Sequence, residues 1–137
     1  MRKFKVLGHY KFSIGWLLIM AYLLFSPSTT LPRTGFLHVA HFDKVVHFGM
    51  FGMLTLLFFY ETERQKSFLK YTLWLFLGTG LLFAILSELV QAFLVEGRHG
   101  SFADLISDFA GMLAGLGFYF LVLKKYALFG LLNRPNN

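Results

Sequence analysis

Cysteine is absent from the 137 residues, which excludes disulfides and thiolate metal sites. Charge is also scarce. Only 15% of residues are Asp, Glu, Lys or Arg, and acids number just 7, too few for the solvated surface of an ordinary soluble domain. There is no P-loop, no zinc-ligand spacing and no stripe of basic residues interleaved with aromatics, so nucleotide and nucleic-acid binding are not indicated despite a formal net charge of +6. Internal repeats are lacking, and the length suits a single domain, 1–137.

What the chain has in abundance is apolar surface. Hydrophobic residues make up 56%, Phe alone occurs 18 times, and mean hydropathy is +0.60, values that belong to the membrane class. A hydrocarbon core about 30 Å thick takes roughly 20 residues of helix. Four stretches approach or meet that length, at about residues 7–25, 42–60, 68–94 and 102–123. Ser26-Pro27 breaks the first, and Lys124-Lys125 closes the last. The basic start and the apolar run from Phe12 to Phe25 also resemble a signal peptide, but no A-x-A site follows and Pro27 sits poorly for cleavage. The expected fold is therefore all-α, an integral membrane four-helix bundle.

Orientation follows from where Lys and Arg fall. Ten of the thirteen lie at the amino terminus (Arg2, Lys3, Lys5, Lys11), in the middle loop (Arg64, Lys66, Lys70) or at the carboxyl end (Lys124, Lys125, Arg134). The remaining two loops hold Arg33, Lys44 and Arg98. The positive-inside rule then predicts both termini in the cytoplasm. The many phenylalanines are expected to face lipid or pack between helices.

Against this background a few polar residues stand out. Asp43, Lys44 and His47 open the second apolar stretch, Glu88 and Gln91 close the third, and Asp104 and Asp108 enter the fourth. Ionisable groups in such segments are costly and mark either an intramembrane site or a polar lock between helices. With alternating helix direction all three sets fall at one end of the bundle, the outer end in the predicted topology. Spacings of three and four residues put each set on one helix face. Gly80, Ala84, Glu88 and Gln91 form one stripe of small and polar groups, and Asp104, Asp108, Gly111 and Gly115 form another. Small residues let helix backbones approach, so both stripes should point inward, leaving Phe102, Ile106, Phe109 and Leu113 to lipid.

If ionised, Asp43, Glu88, Asp104 and Asp108 carry four negative charges, against the positive charges of Lys44 and Arg98. Carboxylates crowded in a low dielectric do not all stay ionised, so a proton, a cation or a cationic ligand group is expected among them. Asp43, His47, Asp104 and Asp108 have donors suited to a divalent cation, although no spacing signature demands a metal or any other cofactor. His47, Glu88 and Asp104 are the candidates for general acid or base. No nucleophile is indicated, since Ser87 and Ser101 have no legible triad. A purely structural reading competes: acids near a helix amino terminus complement the macrodipole, and Lys44 and Arg98 serve as interfacial anchors. His38, His41 and His99 are expected to be plain loop or boundary residues.

The pattern Asp43-Lys44-x-x-His47-Phe48, Ser87-Glu88-x-x-Gln91, Arg98 and Ser101-Phe102-x-Asp104-x-x-x-Asp108-x-x-Gly111-x-x-x-Gly115 resembles the VanZ-like family of small bacterial membrane proteins. The likeness covers about residues 41–116. Relatives typically have Asp-x-x-x-Asn on the last helix, and here Asp108 stands in the Asn place. The resemblance implies a multipass protein of the bacterial cytoplasmic membrane and, through the family's namesake, a link to low-level teicoplanin resistance. It supplies no biochemical activity. The expected site is a polar pocket for a cell-envelope or lipid-linked headgroup, formed by Asp43, Lys44, His47, Glu88, Gln91, Arg98, Asp104 and Asp108. Membrane lipids are the expected partners, with a second copy or a larger membrane protein as further candidates. The alternatives are an accessory subunit whose polar residues only lock helices together, or a small transporter. Against transport, no matching polar set is apparent at the cytoplasmic end.

Overall fold

A computed structural model describes residues 8–27, 42–64 and 70–124. Among them are four α-helices and no strand: α1 (Lys11–Phe25), α2 (Phe42–Arg64), α3 (Lys70–Leu94) and α4 (Phe102–Phe118), the last continuing into a π-helical turn, Tyr119–Leu123. The expected four-helix bundle is what forms.

Among the described residues three segments are long and apolar enough to cross a membrane: Phe42–Glu63, Tyr71–Leu94 and Phe102–Leu123. The helix α1, at 15 residues, is shorter than the expected stretch 7–25 and rises about 22 Å. Its ends have local causes. At the amino end the carboxylate of Glu61 accepts from the Phe12 and Ser13 backbone N–H groups at 2.9 and 3.0 Å, satisfying donors that a first turn leaves orphaned. At the other end Ser26 still donates to the Tyr22 carbonyl, and Pro27 then has no N–H to continue the ladder.

Burial is inverted relative to a soluble protein. His47, Glu61, Glu88, Asp104 and Asp108 are buried, while Phe93, Phe102, Trp74, Leu18 and Leu121 lie exposed. An apolar exterior around an interior that holds ionisable groups beside apolar ones suits lipid as solvent. Phe102, Ile106, Phe109 and Leu113 are indeed on the outward side, and Asp104, Asp108, Gly111 and Gly115 on the inward side.

The most extensive helix contact joins α2 to α4, which run parallel. Glycine makes it possible. A Cβ on Gly111 would collide with the Phe48 carbonyl, one on Gly115 with the Gly52 carbonyl, and one on Gly52 would lie 3.2 Å from the Gly111 oxygen. The two backbones are thus in direct contact, the geometry that Gly-x-x-x-Gly permits. Toward the far end the core becomes aromatic: Phe58 stacks on Phe76 at 4.4 Å, and Phe59 lies 5.7 Å from the Tyr119 ring. Two buried hydroxyls are satisfied within their own helices: Thr55 donates to the Phe51 carbonyl and Ser87 to that of Ala84.

Candidate functional site

The backbone contact between α2 and α4 dictates what happens one turn away. Phe48 is pressed against Gly111, so its neighbour His47 is brought against Asp108, and Nδ1 of the imidazole lies 2.9 Å from Oδ1 of the carboxylate. With an ionised carboxylate the Nδ1–H tautomer donates this bond, while the other tautomer leaves Nδ1 with a free lone pair facing the acids. From α3, Glu88 Oε1 stands 3.6 Å from the same nitrogen. His47, Glu88 and Asp108 are all buried, with 3%, 7% and 0% of their surface exposed, and one donor atom from each lies within 4.8 Å of the others.

Beside this cluster, Lys44 Nζ is 3.2 Å from Asp104 Oδ1 and 3.4 Å from Asp43 Oδ2. The Lys44–Asp104 approach is an ion pair without hydrogen-bond angles, since Asp104 Oδ1 has no hydrogen-bond partner. Asp43 is exposed and marks the rim. It shares a helix face with His47, yet the histidine bonds across to α4 instead.

The other two sequence candidates turn elsewhere. Gln91 Nε2 donates to the Leu24 carbonyl at 2.9 Å, and Arg98 Nη2 to the Leu23 carbonyl at 3.0 Å. Both carbonyls belong to the last turn of α1, where helix geometry leaves acceptors unpaired. Glu88 divides its work: Oε2 accepts from the Ser101 N–H at 2.7 Å and pins the start of α4, while Oε1 points into the cluster. The α3–α4 connection is tight. Gly97 has φ of 72°, and a Cβ on Gly100 would meet the Glu88 carbonyl at 2.7 Å and Ala92 at 2.9 Å.

So the structure draws His47, Glu88 and Asp108 into one buried cluster, sets Lys44 and Asp104 next to it, leaves Asp43 at the rim, and assigns Gln91 and Arg98 to α1. His99 is exposed, and His38 and His41 lie outside the described residues. Glu88 Oε1, Asp104 Oδ1, Asp108 Oδ2 and Arg98 Nε are buried without hydrogen-bond partners, a concentration of unsatisfied polar atoms at this end of the bundle. A groove of about 330 Å³ opens beside it between α3 and α4, with Glu88 and Ser101 among otherwise apolar walls that include Leu89, Phe93, Phe102 and Leu105.

A second polar set occupies the opposite end, contrary to expectation. Ser13, Glu61 and Thr62 are buried there, the Ser13 hydroxyl donates to Glu61 at 2.6 Å, and the Tyr119 hydroxyl donates to Glu63 at 2.5 Å. The apolar pattern ends at Tyr60 and suggests a loop from Glu61, but α2 continues to Arg64, burying Glu61 in the bundle and leaving Glu63 half-buried. The legible signal was Glu61 and Thr62 four residues after Leu57 and Phe58, continuing one helix face.

Comparison with curated proteins and with solved structures returned no match. The family model described as VanZ/LLP1 matches residues 4–123, which takes in all four helices and every residue of the cluster. With its apolar spanning helices, the chain is a membrane protein that belongs to the VanZ/LLP1 family.

Proposed function

We propose that the polar end of the bundle faces the outer side of a bacterial cytoplasmic membrane and binds the headgroup of a lipid-linked or other cell-envelope molecule. The observation that carries this reading is the groove between α3 and α4: its walls are apolar, and Glu88 and Ser101 stand where it meets the charged cluster. Such a site suits a molecule with an apolar chain and a polar head. Lys44, with 28% of its side chain exposed, would meet an anionic group, and the acids would accept from hydroxyls or a cation. The ten-to-three distribution of basic residues supports the orientation.

The test uses full-length protein in nanodiscs with a polyprenyl phosphate as probe. Saturable binding that weakens in Lys44→Ala and is kept or tightened in Glu88→Gln, where a negative charge leaves the groove, supports the proposal; binding unchanged in Lys44→Ala, or none in the wild type, rejects it. A link to teicoplanin resistance is a finer proposal, tested by whether expressing the chain raises the inhibitory concentration for a sensitive host.

A second reading has its own support. Gln91, Arg98 and one oxygen of Glu88 all bond to backbone groups, as expected of helix locks in an accessory subunit. Crosslinking to a larger membrane protein in native membranes would favour it.

A further inference from the structure

We infer that His47, Glu88 and Asp108 form a binding site for one divalent transition-metal ion, Zn²⁺ or Mn²⁺ in character. The inference goes beyond headgroup binding and does not depend on it.

Two buried carboxylates and one imidazole converge here from three different helices, with one donor from each inside 4.8 Å. Two donors each about 2.1 Å from a tetrahedral ion stand roughly 3.4 Å apart. Around an octahedral ion adjacent donors stand roughly 3.0 Å apart. The observed separations from His47 Nδ1, 2.9 Å to Asp108 Oδ1 and 3.6 Å to Glu88 Oε1, straddle those values. A hydrogen bond explains the first distance but not the second.

Independent of the spacing, two atoms lack partners. Glu88 Oε1 and Asp108 Oδ2 are buried with no hydrogen bond, in residues only 7% and 0% exposed. Nearby cations are engaged elsewhere: Lys44 faces Asp104 and Asp43, and Arg98 donates to the Leu23 carbonyl. Among the described residues no Lys or Arg nitrogen forms an ion pair with Glu88 or Asp108. Two buried carboxylates facing one imidazole are a donor set that a divalent ion can bind and neutralise, displacing any proton held between them.

The donor set narrows the ion. One imidazole with two carboxylates favours borderline metals over Ca²⁺, which takes six to eight oxygens. Three protein donors also leave a tetrahedral ion one open position. Glu88 is already oriented, since the Ser101 N–H holds its other oxygen as outer partners hold metal ligands.

The experiment is titration of chelator-washed full-length protein in detergent with ZnCl₂, MnCl₂ or CoCl₂ alone, read by calorimetry and by the thermal midpoint. The expected result is one ion per chain and a midpoint that rises with metal. Asp108→Asn, His47→Gln and Glu88→Gln each weaken binding by about tenfold or more, and Asp43→Asn, at the rim, does not. Should one cluster variant fail to fold, the other two carry the comparison. If the wild type takes up no ion, the cluster is satisfied by protons and the inference is overturned. Equal affinity in the cluster variants and Asp43→Asn, as for adventitious binding to surface histidines, also overturns it.

Discussion

His47 and Asp108 meet at 2.9 Å, Nδ1 to Oδ1, although 61 positions separate them in the chain. The contact depends on glycine one turn further along, where the α2 and α4 backbones touch. Packing and site are therefore one construction: any residue that spreads these helices also pulls the imidazole from the carboxylate.

Gly115→Ala tests that dependence. Its Cβ would meet the Gly52 carbonyl, a backbone atom that cannot rotate away. Overpacking of this kind costs about 1–3 kcal/mol, and the thermal midpoint in detergent should fall accordingly. Gly117 meets nothing within 4 Å, so Gly117→Ala should leave stability unchanged or slightly raised through helix propensity. Equal effects at both positions would contradict the close backbone packing.

Neutralising acids at the cluster separates a pocket from a lock. Glu88→Gln keeps an acceptor for the Ser101 N–H and removes a negative charge facing Asp108, so metal-free protein should unfold at the same temperature or higher. Asp104→Asn breaks only the pair with partly exposed Lys44 and should change little. A loss of about 3–5 kcal/mol in Glu88→Gln, the cost of breaking a buried ion pair, would turn the reading toward a structural lock.

At the other end, Glu61 holds α1 by three hydrogen bonds, two from backbone N–H groups and one from the Ser13 hydroxyl. Bonds to a charged acceptor contribute about 1.5–3 kcal/mol each when a partner is removed. Glu61→Ala should therefore destabilise by about 2 kcal/mol or more, with Glu61→Gln intermediate. Hydrogen exchange at the Phe12 and Ser13 amides should quicken in Glu61→Ala; unchanged protection there would refute the capping role.

Gln91→Leu should cost about 1 kcal/mol through the lost bond to the Leu24 carbonyl. Because Gln91 serves α1, metal uptake at His47, Glu88 and Asp108 should be untouched. A variant that loses metal with its fold intact would place Gln91 in the site after all.

The absence of cysteine gives a clean background for testing orientation. In intact cells Glu96→Cys, in the α3–α4 connection, should react with a membrane-impermeant maleimide, and Lys66→Cys only after lysis. The reverse pattern would invert the proposed topology.

Much of the fold was legible because apolar length and glycine spacing act locally. The runs around 42–60, 68–94 and 102–123 emerged as α2, α3 and α4 with its π turn, and the face bearing Gly111 and Gly115 turned inward. Less legible was Glu61, since hydropathy registers a charge as the end of a span and does not reveal a backbone amide waiting across the bundle. Gln91 and Arg98 were equally opaque: their partners are carbonyls of α1, which any sequence offers at every residue.

Taken alone, the amino-acid sequence determined that this is an all-helical membrane protein and that Asp43, Lys44, His47, Glu88, Asp104 and Asp108 gather at one end. Helix period and the cost of charge in lipid require that much. Tertiary structure decided which of those groups touch. His47 and Asp43 share a face at i, i+4, yet the histidine bonds Asp108, because parallel α2 and α4 approach to backbone contact and bring the imidazole across. Partner choice among several nearby acids rests on distances of a few ångströms between helices, and those exist only once the helices have packed.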